Sequence, residues 1–198
     1  VHVIDDDVDV RQSLAFLLSA AGLAVRTHDS AVAFLKALPT LQDGCIVTDI
    51  RMPEMDGLEL QKRLKEMKID MPVIVITGHG DVHLAVSAMK SGAVDFIEKP
   101  FDDEALLSAI QAALTQHSDD RRRQSLVAEV RKRLKALSER EKEVLNGLVA
   151  GKPNKIIAYE LGISARTVEV YRANVMTKMQ ADSLSELVRM VLLESGTA

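Results

Sequence analysis

Five short segments, mostly apolar or β-branched, alternate with stretches of helical periodicity, and this alternation constrains the fold more than any other feature. The segments are residues 1–4, 24–28, 45–49, 73–77 and 95–99. Between and after them, residues 8–21, 30–38, 58–67, 82–91 and 104–116 repeat apolar side chains at helical spacing. Gly22 and Gly92 stand where the first and fourth helices should stop. Five βα units predict an α/β fold, a doubly wound five-stranded parallel sheet between helices. Beyond residue 116 the strand pattern ends. Leu126, Val127, Val130 and Leu134 mark one face of a helical linker over 117–136, able to continue the preceding helix. An all-α domain follows over 137–198. Ser138 with Glu141, and Ser183 with Glu186, have capping-box spacing. Helices 154–161 and 165–179 are separated only by Gly162, Ile163 and Ser164.

Charge divides the chain at the same place. Residues 1–116 hold 10 Lys and Arg against 18 Asp and Glu, a balance of −8, while residues 117–198 hold 15 against 11, a balance of +4. A carboxylate-rich module can hold a divalent cation, and a basic one can approach nucleic acid. The hydrophobic share of 47% supports packed cores rather than disorder. No apolar run approaches the roughly 20 residues that span a bilayer, and no basic, apolar leader opens the chain. A cytoplasmic protein without a membrane partner is expected. The chain starts at Val1, inside its first strand, so a few preceding residues are expected to be missing. The single cysteine, Cys45, has no internal disulfide partner, which suits a reducing compartment; its apolar run predicts a buried thiol.

Charged and hydroxyl residues punctuate the strand ends. Asp5, Asp6 and Asp7 follow the first strand, Asp49 closes the third, Thr77 the fourth and Lys99 the fifth. In a doubly wound parallel sheet these ends line one edge, where such folds place ligands. The set suits phosphoryl transfer to a carboxylate, with Asp49 as nucleophile. Mg²⁺ would relieve repulsion among Asp5, Asp6 and Asp49. Lys99 offers a positive charge to phosphoryl oxygens and Thr77 a hydroxyl donor. Each also has a plainer reading: Asp7 as a helix cap, Thr77 as a strand-end hydroxyl, Lys99 as a surface lysine. It is their joint placement that argues for a site.

The runs Ile4–Asp5–Asp6, Val47 to Gly57, Val75–Ile76–Thr77–Gly78 and Phe96–Ile97–Glu98–Lys99–Pro100–Phe101 resemble response-regulator receiver domains across residues 1–116. The resemblance implies that Asp49 takes phosphate from a sensor histidine kinase. It implies that Asp6, Asp49 and the Arg51 carbonyl hold Mg²⁺ (or Mn²⁺), with Asp5 nearby through water. Thr77 and Lys99 would bind the phosphoryl group, and Phe96 would be the aromatic switch that moves with Thr77; its plainer reading is a buried strand residue. Phosphorylation would then yield a homodimer through the fourth helix and fifth strand. His83, Val86 and Lys90 lie at helical spacing on a possible outer face there, although Val86 also suits the core.

In the second half, the helix–turn–helix around Gly162 has the pattern of a DNA-binding motif. Ser164 can cap the second helix. Ile163, Val168 and Val175 can face inward, leaving Arg166, Thr167, Glu169, Arg172 and Lys178 on an outer face. Asn154 and Lys155 open the first helix and can meet phosphates. The runs 137–145, 151–158 and 163–169 resemble the LuxR-type effector domain, although Tyr171 stands where many members carry His. The whole chain resembles response regulators of the FixJ/LuxR (NarL-like) family. That implies transcription activation at double-stranded promoter DNA with RNA polymerase, an oxygen-sensing FixL-like haem kinase, nitrogen-fixation or microaerobic target genes, and no enzymatic role beyond phosphoryl acceptance and slow self-dephosphorylation. An aspartyl-phosphate phosphohydrolase is the competing enzyme reading, but such enzymes need a second Asp two residues after the nucleophile, where this chain has Arg51. Gly78–His79–Gly80 lacks the companions of a nucleotide-binding loop. An RNA-binding antiterminator or an adaptor is the third reading, and the LuxR-like tail argues against both.

Overall fold

The structure is a computed structural model that describes residues 1–78 and 82–196. Contacts divide the chain into two compact units, Val1–Asp119 and Asp120–Ala198.

The first unit is a parallel sheet in the order β2-β1-β3-β4-β5. Its strands are β1 (His2–Ile4), β2 (Arg26–His28), β3 (Ile46–Asp49), β4 (Val73–Thr77) and β5 (Asp95–Glu98). The helices are α1 (Val8–Ala20), α2 (Ala31–Ala37), α3 (Gly57–Glu66), α4 (Val82–Ser91) and α5 (Asp103–Lys135). Four strands are one or two residues shorter than expected: Val1, Ala24, Val25, Cys45 and Lys99 fall outside the ladders. A strand covered on both faces must be apolar on both, and every residue of β4 is buried. Strand alternation then sends neighbours to opposite cores. Ile4, Ile46 and Val75 join Phe34 and Leu60 on one side. Val3, Val47, Ile74 and Ile76 join Leu18, Leu106 and Ile110 on the other. Asp7 caps α1 by accepting from the Asp9 and Val10 N–H groups. Gly22 and Gly92 have φ of +79° and +106°, where α1 and α4 have just ended. Cys45 is fully buried, and burial pushes its thiol up to about 12.

The second unit packs the tail of α5 with α6 (Glu139–Val149), α7 (Asn154–Leu161), α8 (Ala165–Met179) and α9 (Leu184–Ser195). Val130, Leu145, Ile157, Val168, Val175 and Leu187 are among its core residues. Ser138 and Glu141 form the reciprocal capping box that their spacing predicts. The second box is only half made. Ser183 Oγ accepts from the Glu186 N–H at 3.2 Å, but the Glu186 carboxylate reaches past Ser183 to the Asp182 N–H, at 2.9 Å. Gly147 lets α6 and α7 approach closely, since a Cβ there would lie 2.7 Å from Ile157 Cγ1. Among the described residues no helix is long and apolar enough to cross a membrane.

Two histidines sit inside the first unit. His2, His28 and Phe34 pack tilted or edge to face, with ring centroids 5.1–5.8 Å apart. Burial, with the neighbouring His2 and Arg26, lowers His28 from 6.5 to about 4. The unfolded chain therefore binds this proton in a pH range where the folded chain does not. Stability from His28 is full above about 6.5 and falls as pH drops towards about 4. Urea unfolding followed across that window should show stability rising with pH, and His28→Leu should flatten the slope. An equally steep slope in the variant would assign the dependence to other groups.

Candidate functional site

Register fixes the sheet edge. Ile4 pairs with Thr48, Asp49 with Ile76, and Thr77 with Glu98. Asp5, Asp49, Thr77 and Lys99 therefore arrive at the same end of four parallel strands. Lys99 Nζ lies 2.8 Å from Asp49 Oδ1 and 3.0 Å from Asp5 Oδ2. The Lys99 N–H donates to the Thr77 carbonyl at 2.7 Å. Asp49 Oδ2 accepts from the Arg51 N–H at 2.8 Å, and Asp5 Oδ1 from the Asp7 N–H at 2.9 Å. Thr77 is buried, with Oγ1 3.4 Å from the Gly78 carbonyl.

Electrostatics follow from this packing. Burial pushes the Asp5 carboxyl above its ordinary value, although the Asp7 N–H and Lys99 pull the other way. Burial alone would lower Lys99; its bonds to Asp49 and Asp5 outweigh that and raise it. The amine stays charged at neutral pH and is shared by two carboxylates. The expected crowd of three carboxylates resolves differently. Asp6 is exposed, and among the described residues no three Asp, Glu, His or Cys side chains gather as a metal site. Gly57, the last residue of the run that begins at Val47, packs against the Asp49 backbone. A Cβ there would lie 2.5 Å from the Asp49 carbonyl oxygen, and the Gly57 N–H donates to the Ile50 carbonyl at 2.9 Å. Its position just after the Asp56 cap of α3 was the available signal.

Phe96 is not buried: 43% of it is exposed, on an edge strand. Val86, at 47%, is not a core residue either, and His83 and Lys90 are exposed beside it. Met89 and Val94 add apolar surface that the sequence reading did not single out, although Met89 is three residues from Val86 and Val94 two from Phe96. His79, Gly80 and Asp81 lie outside the described residues.

In the second unit, Gly162 takes the left-handed conformation, φ +63°, between α7 and α8. Ser164 caps α8, accepting from the Thr167 N–H at 3.0 Å, and its Oγ lies 2.8 Å from Thr167 Oγ1. Arg166 and Glu169 are exposed on α8 and Arg172 is half-buried; on α7, Lys155 is exposed and Asn154 half-buried. Val168 and Val175 are buried as expected, and Ile163 and Tyr171 pack against the core. Lys178 is exposed on α8 as expected, but its amine is paired. Its amine lies 2.7 Å from Oε2 of the buried Glu141, across 37 residues. Sequence periodicity also passes over three exposed residues: Val170, four positions from Arg166; Ala173, four from Glu169; and Asn174, four from Val170.

An acidic sheet edge on one unit and a helix-turn-helix on the other define a class that the comparisons confirm. Residues 1–111 match the response regulator receiver domain, and residues 135–191 match the luxR family of bacterial regulatory proteins. The chain belongs to the response regulators that join a receiver to a LuxR-type DNA-binding domain. Within them it is FixJ-like. It is 62% identical over 193 residues to the transcriptional regulatory protein FixJ of Azorhizobium caulinodans, spanning 98% of this chain and 92% of that protein. It is 55% identical over 192 residues to FixJ of Rhizobium meliloti, spanning 97% and 94%. Among solved structures, full-length FixJ from B. japonicum matches with TM-score 0.64 at 53% identity, covering 98% of this chain and 96% of that one. The response regulator StyR matches with TM-score 0.83 at 42% identity, covering 96% of each.

Glu141 carries a prediction. The bond from Lys178, then the Ser138 N–H, hold its carboxyl below the usual carboxylate range. Its contribution is present above the ordinary carboxylate pKa and is lost as pH falls through the folded one. Lys178→Met should lower stability by up to about 1 kcal/mol at neutral pH, because the amine is partly exposed and Glu141 keeps its Ser138 bonds, and should weaken that acid dependence. Chemical unfolding of both proteins at two pH values would read it; an unchanged acid dependence would leave the pair without weight.

Proposed function

We propose that this protein is switched by phosphorylation of Asp49 and, once phosphorylated, pairs with a second copy and binds promoter DNA to activate transcription. The observation that carries this reading is the Lys99 amine shared between Asp49 and Asp5. A carboxylate set beside a fixed positive charge can attack a phosphorus atom while the oxygens of the incoming group are neutralised. The Asp49 oxygen forms a bond to phosphorus as the bond from phosphorus to the kinase's histidine nitrogen breaks. Lys99 then holds phosphoryl oxygens, and the Thr77 hydroxyl donates to one of them.

Two carboxylates that already share one cation have the hard oxygen donors a divalent ion takes. Asp6, Asp49 and the Arg51 carbonyl would hold Mg²⁺ (or Mn²⁺), with Asp5 nearby through water, and the ion would supply charge neutralisation to the phosphoryl group. When Thr77 turns towards phosphate, Phe96 follows into the space it leaves. The surface of α4 and β5, with His83, Val86 and Lys90, then becomes the contact between two copies. Asn154, Lys155, Ser164, Arg166, Thr167, Glu169 and Arg172 form the DNA-facing set, with α8 in the major groove and α7 across the backbone. Pairing two such modules raises affinity for a two-fold site through effective concentration. RNA polymerase is the next partner in activation. The kinase is a FixL-like sensor and the genes serve nitrogen fixation or microaerobic life. Relatives named FixJ, and a further one named nodulation protein W, support that assignment. The protein works in the cytoplasm.

Asp49→Asn removes the nucleophile and conserves shape. The variant should fold, with an unchanged far-ultraviolet spectrum, and should take no label from a phosphorylated histidine kinase or from acetyl phosphate. Chelation of divalent ions should stop labelling of the parent. Full labelling of the variant would move the site elsewhere.

A further inference from the structure

The luxR-family match begins at residue 135, yet the core of the second unit begins earlier. Val130 is 5% exposed within that core, and Leu134 packs against it. Both lie on the tail of α5. Between them Arg133 reaches across to the end of α8. Its Nη1 donates to the Met179 carbonyl at 2.9 Å, while Nε donates to Glu129 Oε1 at 3.2 Å. Only 22% of the Arg133 side chain is exposed.

The place it reaches has a physical need. The last four carbonyls of a helix have no partner within the helix. At the end of α8 the chain turns back through Gln180, φ +53°. The Gln180 N–H then serves the Thr177 carbonyl at 3.1 Å and the Ala181 N–H serves Met176 at 3.0 Å. Met179, whose side chain is fully buried, is the last helical residue, and its carbonyl is served by Arg133. A guanidinium there also opposes the negative end of the helix dipole.

We propose that Arg133 is a positioning residue for DNA recognition: it fixes the C-terminal end of α8 and so the angle at which Arg166, Glu169 and their neighbours are presented. The tail of α5 is thereby part of the DNA-binding module, and a displacement of α5 acts on the end of α8 through this bond as well as through the shared core. The proposal rests on the reading that α8 meets DNA. Arg133 touches α8, not the nucleic acid, and this separates it from a phosphate contact.

The test uses the full chain with Mg²⁺ and beryllofluoride, and duplexes that the parent selects from a random-sequence pool, with scrambled duplexes for comparison. Arg133→Gln should lose about tenfold in affinity for selected duplexes, the scale of one charged hydrogen bond, and less for scrambled ones. The slope of log affinity against log salt should stay that of the parent, because no phosphate contact is removed. Without DNA, amide exchange at Gln180 and Ala181 should quicken. Arg133→Lys, which keeps a donor, should retain most of the affinity. Val130→Ala disturbs the same helix without touching the Met179 carbonyl and controls for lost stability. Affinity and exchange changes in Val130→Ala equal to those of Arg133→Gln would overturn the proposal, as would a salt slope lower by about one unit. Failure of the parent to select any duplex would overturn the DNA reading, whereas unchanged exchange in Arg133→Gln would overturn this proposal alone.

Discussion

Lys99 sets the terms for the first unit. Its amine is partly withdrawn from water, and its bonds to Asp49 and Asp5 outweigh that burial and favour the charged form. Asp5 is buried, and burial alone drives its carboxyl towards the neutral form, while Lys99 pulls the other way. The three groups come from β1, β3 and β5, so their meeting depends on the parallel order of the sheet and on its register. Everything else at that edge serves this arrangement. Gly57 gives the Asp49 backbone room, the Arg51 N–H orients its second oxygen, and Thr77 binds the Lys99 backbone through its carbonyl.

The second unit works by a different economy of charge. Its buried carboxylate, Glu141, closes the capping box of α6 and also holds Lys178 of α8. From the tail of α5, Arg133 holds a carbonyl of α8. Both ends of α8 are thus tied, by Ser164 at the start and by Arg133 and Lys178 at the finish. A helix held at both ends presents a defined outer face, which is what base reading in a groove requires.

Much of this was legible in the sequence. The α/β class followed from five apolar runs, because a strand buried on both faces cannot hide its pattern. The strand-end residues stood out because Asp49, Thr77 and Lys99 interrupt or end those runs. What stayed hidden depends on partners distant in the chain. Helical periodicity placed Lys178 on an outer face but gave no sign of Glu141, 37 residues upstream. Phe96 read equally well as buried, because periodicity does not say that β5 is an edge strand. Val170 was overlooked because apolar side chains are assumed to turn inward, and it is 56% exposed. The role of Arg133 has no such signal, since a bond to a carbonyl leaves no mark on sequence spacing. The need for Gly57 is a matter of backbone proximity, 2.5 Å from a notional Cβ to the Asp49 carbonyl oxygen, which its place after the Asp56 cap suggests but does not measure.

The central claim is that occupancy of the Asp49 pocket controls the helix-turn-helix. It is tested most directly by the affinity of the full chain for one selected duplex, measured by fluorescence anisotropy with Mg²⁺ alone and with Mg²⁺ plus beryllofluoride. The account predicts at least about a tenfold gain with beryllofluoride, the range of coupling typical between sites, and none in Asp49→Asn. Equal affinity of the parent under the two conditions would contradict it.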